Sequence, residues 1–526
     1  MQFLTMITTW SAILFFCQVG EAQQDESLSA KLKKQTPEEI LQAKLGQLLM
    51  VGFSDSSPSA ELTHLLRSQK ASNFILFRRN IQSQGQSLEL NNFITENVES
   101  LTGLRPFIAV DQEGGDVIRI QTTPSMPSAF FVGQLASPKH AWKLGRTTGA
   151  LLKSFGVNMN LAPVLDISSQ RRLEFLRSRS FGTDPINVGR MGYYFSVGLK
   201  SENVLPVAKH FPSIGETSVD PHREGAHDVR TLLEIKNQDL KPYTGFFKLG
   251  NLSGVLLSHT VFEVFDKNLP ASRSAPVYNL LRNEMNFKGL AITDDLLMAA
   301  NGTRDHLGDY CVQSIEAGAD IILLPANGRA LSECYSALHT KALKDPSFFE
   351  LVANRFDRIA KIKKLSIGGG FRRPAEDLSF DSTVSEMRST YFTQLMTKLR
   401  PVVQREKMNN QNCLQRDLAS FLKELEIPSA LATSTWMKTY TARKFPAIHD
   451  IHSVRSCALD FKYAGSPQAL KRFLKLPAKS KKRMVVFASH AFTPEDEKDF
   501  LLLSYLPRKL YSPPQFQALP KKARTN

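Results

Sequence analysis

Three short segments of the sequence carry side chains that can transfer protons or attack carbon. Lys209–Pro212 places a lysine and a histidine at the end of an apolar run, and Asp220–His222 follows in the next loop. Farther along, Thr293–Leu296 ends a second apolar run with two adjacent carboxylates. Charged groups at strand ends make a poor core, but they suit an active site at the rim of a barrel.

Asp294 is the candidate nucleophile, because it ends a strand that would point into the barrel mouth. Asp295 would face the other side of the strand and is predicted to bond to backbone. His222 is the candidate acid/base: imidazole titrates near neutrality, and Asp220 could orient the ring. An Asx-turn explains that spacing equally well. A nucleophile and a proton-transfer group flanking one bond is the arrangement of glycosidases.

The hydrophobic pattern predicts the elements that position these groups. Runs rich in Val, Ile, Leu and Phe recur, as in parallel strands buried on both faces, with helix-like stretches such as 141–155 and 276–285 between them. The eight runs are 47–53, 73–77, 107–111, 158–166, 206–211, 254–260, 290–295 and 320–325. Together they predict an α/β fold of the (β/α)8, or TIM-barrel, type. A doubly wound sheet is disfavoured because no Gly-x-Gly-x-x-Gly follows the first run.

Five of these runs end in ionisable residues, which favours a closed barrel over an open sheet. In a barrel the C-terminal ends of the strands converge on one face, where active sites lie. The residues at those ends are Asp111, Asp166, Lys209 with His210, His259, and Asp294 with Asp295. We therefore expect these side chains to meet in one site.

The N-terminal residues 1–22 are typical of a signal peptide. An apolar stretch runs from Phe3 to Cys17, and small residues precede a cut after Ala22, although the segment before the stretch lacks Lys and Arg. Export to the periplasm or the medium is expected on this basis. A buried or frayed N-terminal helix is the alternative.

The rest of the chain divides into a barrel and a smaller unit. Residues 40–365 are assigned to the catalytic barrel, the Gly- and Arg-rich 366–378 to a linker, and 379–526 to a small α/β unit of uncertain fold. Within the small unit the pattern predicts a helix over 383–399 and strands at 430–435 and 484–489, before a Pro- and Lys-rich tail after Ser512.

Composition narrows the classes of partner. Hydrophobic residues make up 42% and charged residues 22% of the chain, as in ordinary globular proteins, so no integral membrane span is expected. A net charge of +16 would suit nucleic acid or an anionic surface. The basic run Lys479–Arg483 lacks interleaved aromatic residues, so a solvated face is favoured and no nucleic acid is expected. Electrostatic association with an anionic cell wall is kept as a hypothesis.

Four cysteines lie beyond the N-terminal segment: Cys311, Cys334, Cys413 and Cys457. They show no Cys-x-x-Cys spacing and no clustered histidines, so structural thiols are expected. No metal and no organic cofactor is predicted.

The ordered motifs resemble those of glycoside hydrolase family 3, most of all its bacterial β-N-acetylglucosaminidases (β-hexosaminidases). They run in family order from Leu45 to Pro325 and cover the whole proposed barrel. The matching segments are Ala109–Gly115 with Val117 and Arg119, Asn160–Asp166, Arg179–Pro185, Lys209–Pro212, His259 with Pro270–Ser272, and Ile292–Leu296 with Met298.

The resemblance implies roles for particular residues. Asp294 would be the nucleophile, and His222 with Asp220 the acid/base dyad of the N-acetylglucosaminidase branch. Sugar hydroxyls and the N-acetyl group would be held by Asp111, Arg179, Lys209 and His210.

Several of these residues also have simpler explanations. Arg179 could pair with Asp184, and Lys209 could be the buried partner of Asp111 or Asp166. Gly114 and Gly115 could serve only a tight turn.

One loop departs from the family pattern, which usually reads Lys-His-Phe-Pro-Gly-His-Gly-Asp-Thr and then Asp-Ser-His. Here Ser213 and Ile214 replace Gly-His, Glu216 replaces Asp and Pro221 replaces Ser. A lost glycine restricts the backbone, and Pro221 fixes φ between the members of the dyad. The dyad itself is retained, so activity is expected, with the substrate range open.

The expected function is that of a retaining exo-β-N-acetylglucosaminidase that acts on peptidoglycan- or chitin-type fragments. One alternative is a β-glucosidase or broader glycosidase of the same family, against which the Asp220–His222 pair argues. The other is a sugar-binding protein with weakened catalysis, against which the retained Asp294 also argues.

Overall fold

A computed structural model gives the fold of this chain. In the barrel region it describes residues 36–123, 125–168, 176, 178–216, 226–250, 252–298, 306–325 and 328–367. Farther on it describes single helical residues between 380 and 390 and four strands. The chain forms two compact units, Met1–Gln121 with Ala129–Ser379, and Thr122–Ser128 with Phe380–Asn526.

The first unit contains a closed barrel of eight parallel strands, as the sequence predicted. Each strand pairs with the next one along the chain, and the last pairs with the first. The barrel strands are β1 (Leu49–Val51), β2 (Asn73–Ile75), β3 (Phe107–Val110), β4 (Met159–Asn160), β5 (Leu205–Phe211), β7 (Gly254–Leu257), β9 (Leu290–Asp295) and β10 (Ile321–Leu324). Each lies in or overlaps one of the eight predicted runs. A separate parallel pair, β6 (His227–Asp228) with β8 (Val261–Phe262), follows β5 and β7.

Continuous burial of the barrel strands explains why they appear in the sequence as runs of apolar residues. Every residue of β1, β2, β3, β5, β7 and β10 is buried. Strand β9 is buried as far as Thr293 and becomes half-buried only at Asp294 and Asp295. The strand thus crosses from the core to the mouth of the barrel at the two carboxylates.

Helices follow the strands and cover the barrel. They are α1 (Pro37–Gln47), α2 (Ala60–Arg67), α3 (Gln84–Thr102), α4 (Ala129–Leu135), α5 (Pro138–Ser154), α6 (Pro185–Ser201), α7 (Leu232–Asn237), α8 (Lys241–Leu249), α9 (Ala275–Asn279), α10 (Leu307–Ala317), α11 (Gly328–Lys344) and α12 (Pro346–Ile367). The predicted helix 141–155 corresponds to α5, and 276–285 covers α9 and the π-helical Leu280–Glu284. In the described part of the chain, no helix has both the length and the apolarity to cross a membrane.

The expectation of free structural thiols is wrong for two cysteines. Cys311 in α10 and Cys334 in α11 form a disulfide, with their Cα atoms 5.7 Å apart, and both residues are fully buried. The two are 23 residues apart in sequence. Closing a loop of this size in the unfolded chain stabilises the fold by about 3 kcal/mol. Cys413 and Cys457 lie outside the described residues.

The second unit contains a four-stranded sheet in the order β11-β12-β13-β14. Its outer pairs are antiparallel and its central pair is parallel. The strands are β11 (Ile451–Arg455), β12 (Asp460–Ala464), β13 (Met484–Ala488) and β14 (Leu501–Tyr505). The predicted strand 484–489 is confirmed as β13, whereas 430–435, residues 391–399 of the predicted helix and the tail after Ser512 lie outside the described residues. The first two residues of the predicted linker 366–378 are the last of α12.

Candidate active site

Lys209, at the mouth end of β5, lies between two carboxylates. Its Nζ is 2.8 Å from Asp111 Oδ1 and 2.6 Å from Glu113 Oε1. The lysine side chain is only 4% exposed, so all three charges lie in a site almost closed to solvent. Asp111 is thus a partner of Lys209, which confirms one of the two pairings considered from the sequence. Glu113 is a second partner.

Two arginines complete this cluster of charges. Arg179 binds Glu113 in a bidentate manner, with Nε 2.7 Å from Oε2 and Nη2 2.9 Å from Oε1. Arg119 Nη2 donates to Asp111 Oδ2 at 2.9 Å. The alternative pairing of Arg179 with Asp184 is wrong, because Asp184 caps α6 by accepting from the backbone N–H groups of its first turn. We call Asp111, Glu113, Arg119, Arg179 and Lys209 the charged cluster.

In the charged cluster, the pKa values of Asp111, Glu113, Arg179 and Lys209 are shifted so that each charged form is favoured. Burial opposes the charge of Asp111, but Lys209 and Arg119 outweigh it and hold the pKa of that carboxyl well below its usual range. In the same way Arg179 and Lys209 overcome burial and lower the pKa of Glu113 to about 2. Conversely, the carboxylates overcome burial to raise the pKa values of Arg179 and Lys209. All these groups are therefore charged at neutral pH, which suits hydrogen bonding to the hydroxyls of a sugar.

Glu113 should make the free energy of unfolding depend on pH in the acid range. Its folded pKa of about 2 lies below the ordinary 4.5, so its stabilisation is complete above pH 4.5 and is lost as pH falls toward 2. We expect Glu113→Gln to cost about 3 kcal/mol at neutral pH and roughly half as much at pH 3, where the stabilisation is partly lost. Urea unfolding at about pH 7 and about pH 3 measures this difference. Glu96→Gln, at an exposed position of α3, is the control and should change stability little at either pH. An equal cost of Glu113→Gln at both pH values would contradict the assignment.

His210 connects a buried carboxylate to the candidate nucleophile. Its Nδ1 donates to Asp166 Oδ2 at 2.6 Å, and its Nε2 lies 4.0 Å from Asp294 Oδ2. Asp166 also accepts from the backbone N–H groups of His210 and Ile214. This predicted strand-end residue therefore fixes the His210 ring and the start of the next loop, rather than facing a substrate.

Asp294 lies at the mouth with one oxygen held and the other turned to the site. Its Oδ1 accepts from the backbone N–H of Asp295 at 2.8 Å, while Oδ2 is the oxygen nearest His210. The side chain is 18% exposed, which leaves it accessible to a substrate. The Asp295 carboxylate accepts from Leu297 N at 2.8 Å, so the predicted bonding of Asp295 to backbone is confirmed.

The loop after β5 begins with the two residues, Ser213 and Ile214, that replace Gly-His of the family pattern. Ser213 is buried and its Oγ accepts from Gly215 N at 3.0 Å. Ile214 is buried beside Val164 and Leu176, and its carbonyl accepts from Thr260. Loss of a glycine at position 213 imposes no strain, because positive φ in this segment occurs at Gly215, where glycine is retained.

Gly114 and Gly115 serve the tight turn that the sequence suggested. Both have positive φ, 95° and 57°, which side chains with a Cβ rarely adopt. The turn is closed by hydrogen bonds from the backbone N–H groups of Glu113 and Gly114 to Val117 O. It therefore helps to hold Glu113 in place against Arg179 and Lys209.

The proposed dyad, Asp220 with His222, and Pro221 lie outside the described residues. Their catalytic role stays a prediction. The chain on either side is anchored: Glu216 N donates to Asp228 Oδ2 at 2.9 Å, and Ala226 O accepts from Val261 N at 2.8 Å.

Sequence reasoning missed Glu113 and Arg119 as members of the site. A usable signal existed for Glu113: it stands two residues after Asp111, the spacing that puts side chains of an extended chain on one face. Arg119 lies beyond the turn and gave no periodic signal. Within the described residues, no group of three or more His, Cys, Asp or Glu side chains is arranged to hold a metal ion.

Comparisons with known proteins identify the family of this chain. The family model for the glycosyl hydrolase family 3 N terminal domain matches residues 40–361. A β-hexosaminidase of Nitrosomonas eutropha is 31% identical over 271 residues, which are 50% of this chain and 76% of that protein.

Two solved structures show the same architecture. A family 3 β-N-acetylglucosaminidase from Paenibacillus sp. aligns with a TM-score of 0.61 and 26% identity, over 67% of this chain and 68% of that one. A β-N-acetylhexosaminidase from Beutenbergia cavernae aligns with a TM-score of 0.57 and 27% identity, over 62% of this chain and 98% of that one. From its family match and its barrel, the chain belongs to glycosyl hydrolase family 3.

Proposed function

We propose that this protein is a retaining exo-β-N-acetylglucosaminidase. The observation that carries the proposal is the half-buried Asp294 at the end of β9, with Oδ2 turned toward His210 in the barrel mouth. A carboxylate so placed can attack the anomeric carbon and form a covalent glycosyl-enzyme. The similarity to a β-hexosaminidase and to a β-N-acetylglucosaminidase supports the choice of sugar.

The charged cluster supports recognition of one terminal sugar ring. Asp111 and Glu113 supply carboxylate acceptors, while Lys209 and Arg179 supply donors, all in a site nearly closed to solvent. Such fixed, charge-assisted groups bind vicinal hydroxyls in defined positions. In the proposed complex they hold the sugar, with His210, so that its anomeric carbon faces Asp294.

The proposed reaction has two steps. Asp294 Oδ2 attacks the anomeric carbon as the glycosidic bond breaks, and the leaving oxygen takes a proton from His222. Water then gives a proton to His222 and attacks the same carbon, which frees the Asp294 carboxylate. Two inversions retain the β configuration. Asp220 is proposed to orient the His222 ring and to stabilise its charged form.

Natural substrates are proposed to be fragments of the peptidoglycan or chitin type, met outside the cytoplasm. The net charge of +16 supports attraction to anionic wall polymers. The buried Cys311–Cys334 disulfide supports export, since disulfides persist in oxidising compartments.

Paired substrates test the proposal. We expect hydrolysis of an aryl β-N-acetylglucosaminide with a kcat/KM at least about tenfold above that of the matching aryl β-glucoside. A reversed preference would favour a β-glucosidase. Binding of N-acetylglucosamine without turnover of either substrate would favour a sugar-binding protein and end the proposal.

A further inference from the structure

His259 contacts the residue that follows the candidate nucleophile, and it takes no part in the reaction as described so far. It follows β7, the barrel neighbour of β9, and is 2% exposed. Its Nδ1 lies 2.8 Å from Ser272 Oγ, and its Nε2 lies 2.8 Å from the carbonyl oxygen of Asp295. Both ring nitrogens are thus engaged within a buried site.

These two contacts select one tautomer. A carbonyl oxygen can only accept, so Nε2 carries the hydrogen and donates it to Asp295. Nδ1 is then the acceptor, and the Ser272 hydroxyl donates to it. Burial lowers the pKa of His259 below its ordinary 6.5, against the opposite influences of Asp294 and the Asp295 carbonyl. The ring is therefore neutral and Ser272 fixes which nitrogen is protonated.

The Asp295 backbone links this histidine to the nucleophile. The Asp295 N–H donates to Asp294 Oδ1 at 2.8 Å, and the Asp295 carbonyl accepts from His259 and, at 3.0 Å, from Met298 N. Holding the carbonyl limits rotation of the residue whose N–H holds Oδ1. Oδ2 is then the oxygen left for attack.

We propose that His259, held in one tautomer by Ser272, is a positioning residue for Asp294 and acts through the Asp295 backbone. The inference rests on the proposed role of Asp294 as nucleophile, though not on the identity of the sugar. Its effect belongs to the attack step, because misplacing a reacting atom by about 1 Å can cost about 10²-fold in rate.

Substitutions at Ser272 test this positioning role. Ser272→Ala removes the donor to Nδ1 and should lower kcat about tenfold with little change in KM, because binding of the sugar does not use this contact. Ser272→Thr keeps the hydroxyl and should restore most of the rate. Ser274→Ala is the matched control: Ser274 is buried nearby, and its Oγ makes no hydrogen bond within the described part of the chain.

Direct observation of the ring separates positioning from general packing. Imidazole ¹⁵N chemical shifts should show an Nε2–H tautomer of His259 in the wild type and a mixture in Ser272→Ala. Wild-type kcat in folded Ser272→Ala, or a loss confined to KM, would overturn the proposal. An Nδ1–H tautomer in the wild type would overturn it as well.

The experiments distinguish failure of the proposed sugar specificity from failure of the proposed role of His259. Kinetics are measured on whichever aryl β-glycoside the wild type hydrolyses best. A preference for glucosides would contradict the N-acetylglucosaminidase assignment and leave the positioning of Asp294 intact. If no aryl β-glycoside is hydrolysed, both are overturned.

Discussion

Asp294→Ala is expected to reduce turnover of an aryl β-N-acetylglucosaminide by about 10⁴-fold or more, because the covalent step then has no nucleophile. The fold should survive, since the side chain is half-buried and, among the described residues, it accepts a hydrogen bond only from the next backbone N–H. Initial rates with an activated phenol leaving group measure the loss. KM should change less than kcat, because the charged cluster, rather than Asp294, is proposed to bind the sugar.

The adjacent carboxylate provides the matched control for this substitution. Asp295→Asn keeps an oxygen that can accept from Leu297 N, as Asp295 Oδ1 does now. We expect it to lose less than about tenfold in kcat. If Asp294→Ala kept the wild-type rate while Asp295→Asn lost activity, the roles of the two residues would have to be exchanged.

Lys209→Met is expected to damage both stability and activity. The lysine ammonium is shared by Asp111 and Glu113 in a nearly closed site, and removal leaves two buried carboxylates with less compensation. Breaking such a buried arrangement costs about 3 kcal/mol or more, which urea unfolding would show. Because Lys209 is proposed to donate to the sugar, the substitution should also lower kcat/KM by about 10²-fold or more.

Substitution of a second buried lysine distinguishes a loss of activity caused by lower stability from a loss caused by the site itself. Lys363 lies at the opposite end of the barrel, where its Nζ donates to Gln47 Oε1 at 2.6 Å and to Ser72 O at 3.3 Å. Burial lowers the pKa of Lys363 well below its usual range, so its charge is not stabilised as that of Lys209 is. Lys363→Met should therefore leave kcat/KM within about threefold of the wild type. An equal loss of activity in both variants would mean that Lys209 acts only through stability.

The barrel could be predicted because its strands are buried on both faces. The strands Gly254–Leu257 and Ile321–Leu324 consist of apolar residues and glycine and are fully buried, and the run 290–295 becomes charged only where it reaches the mouth, at Asp294. That Lys209 meets Asp111 and that His210 meets Asp294 could be predicted for the same reason, since the charged strand ends converge in any closed barrel. Both inferences depend on local pattern alone.

Pairings across the barrel could not be predicted, because they join residues distant in sequence. Arg179 binds Glu113 rather than the nearby Asp184, and Asp184 caps a helix instead. The Cys311–Cys334 disulfide likewise depends on two helices lying side by side. The position of His259 between Ser272 and Asp295 is of the same kind.

Trapping the covalent intermediate tests the central claim about Asp294 most directly. A fluorinated β-N-acetylglucosaminyl fluoride, which slows the second step more than the first, should leave the sugar on the enzyme. Peptide mass spectrometry should then find the added mass on Asp294 and on no other residue. A label on another carboxylate, or turnover through an oxazoline formed from the substrate's own N-acetyl group with no enzyme adduct, would contradict the proposed mechanism.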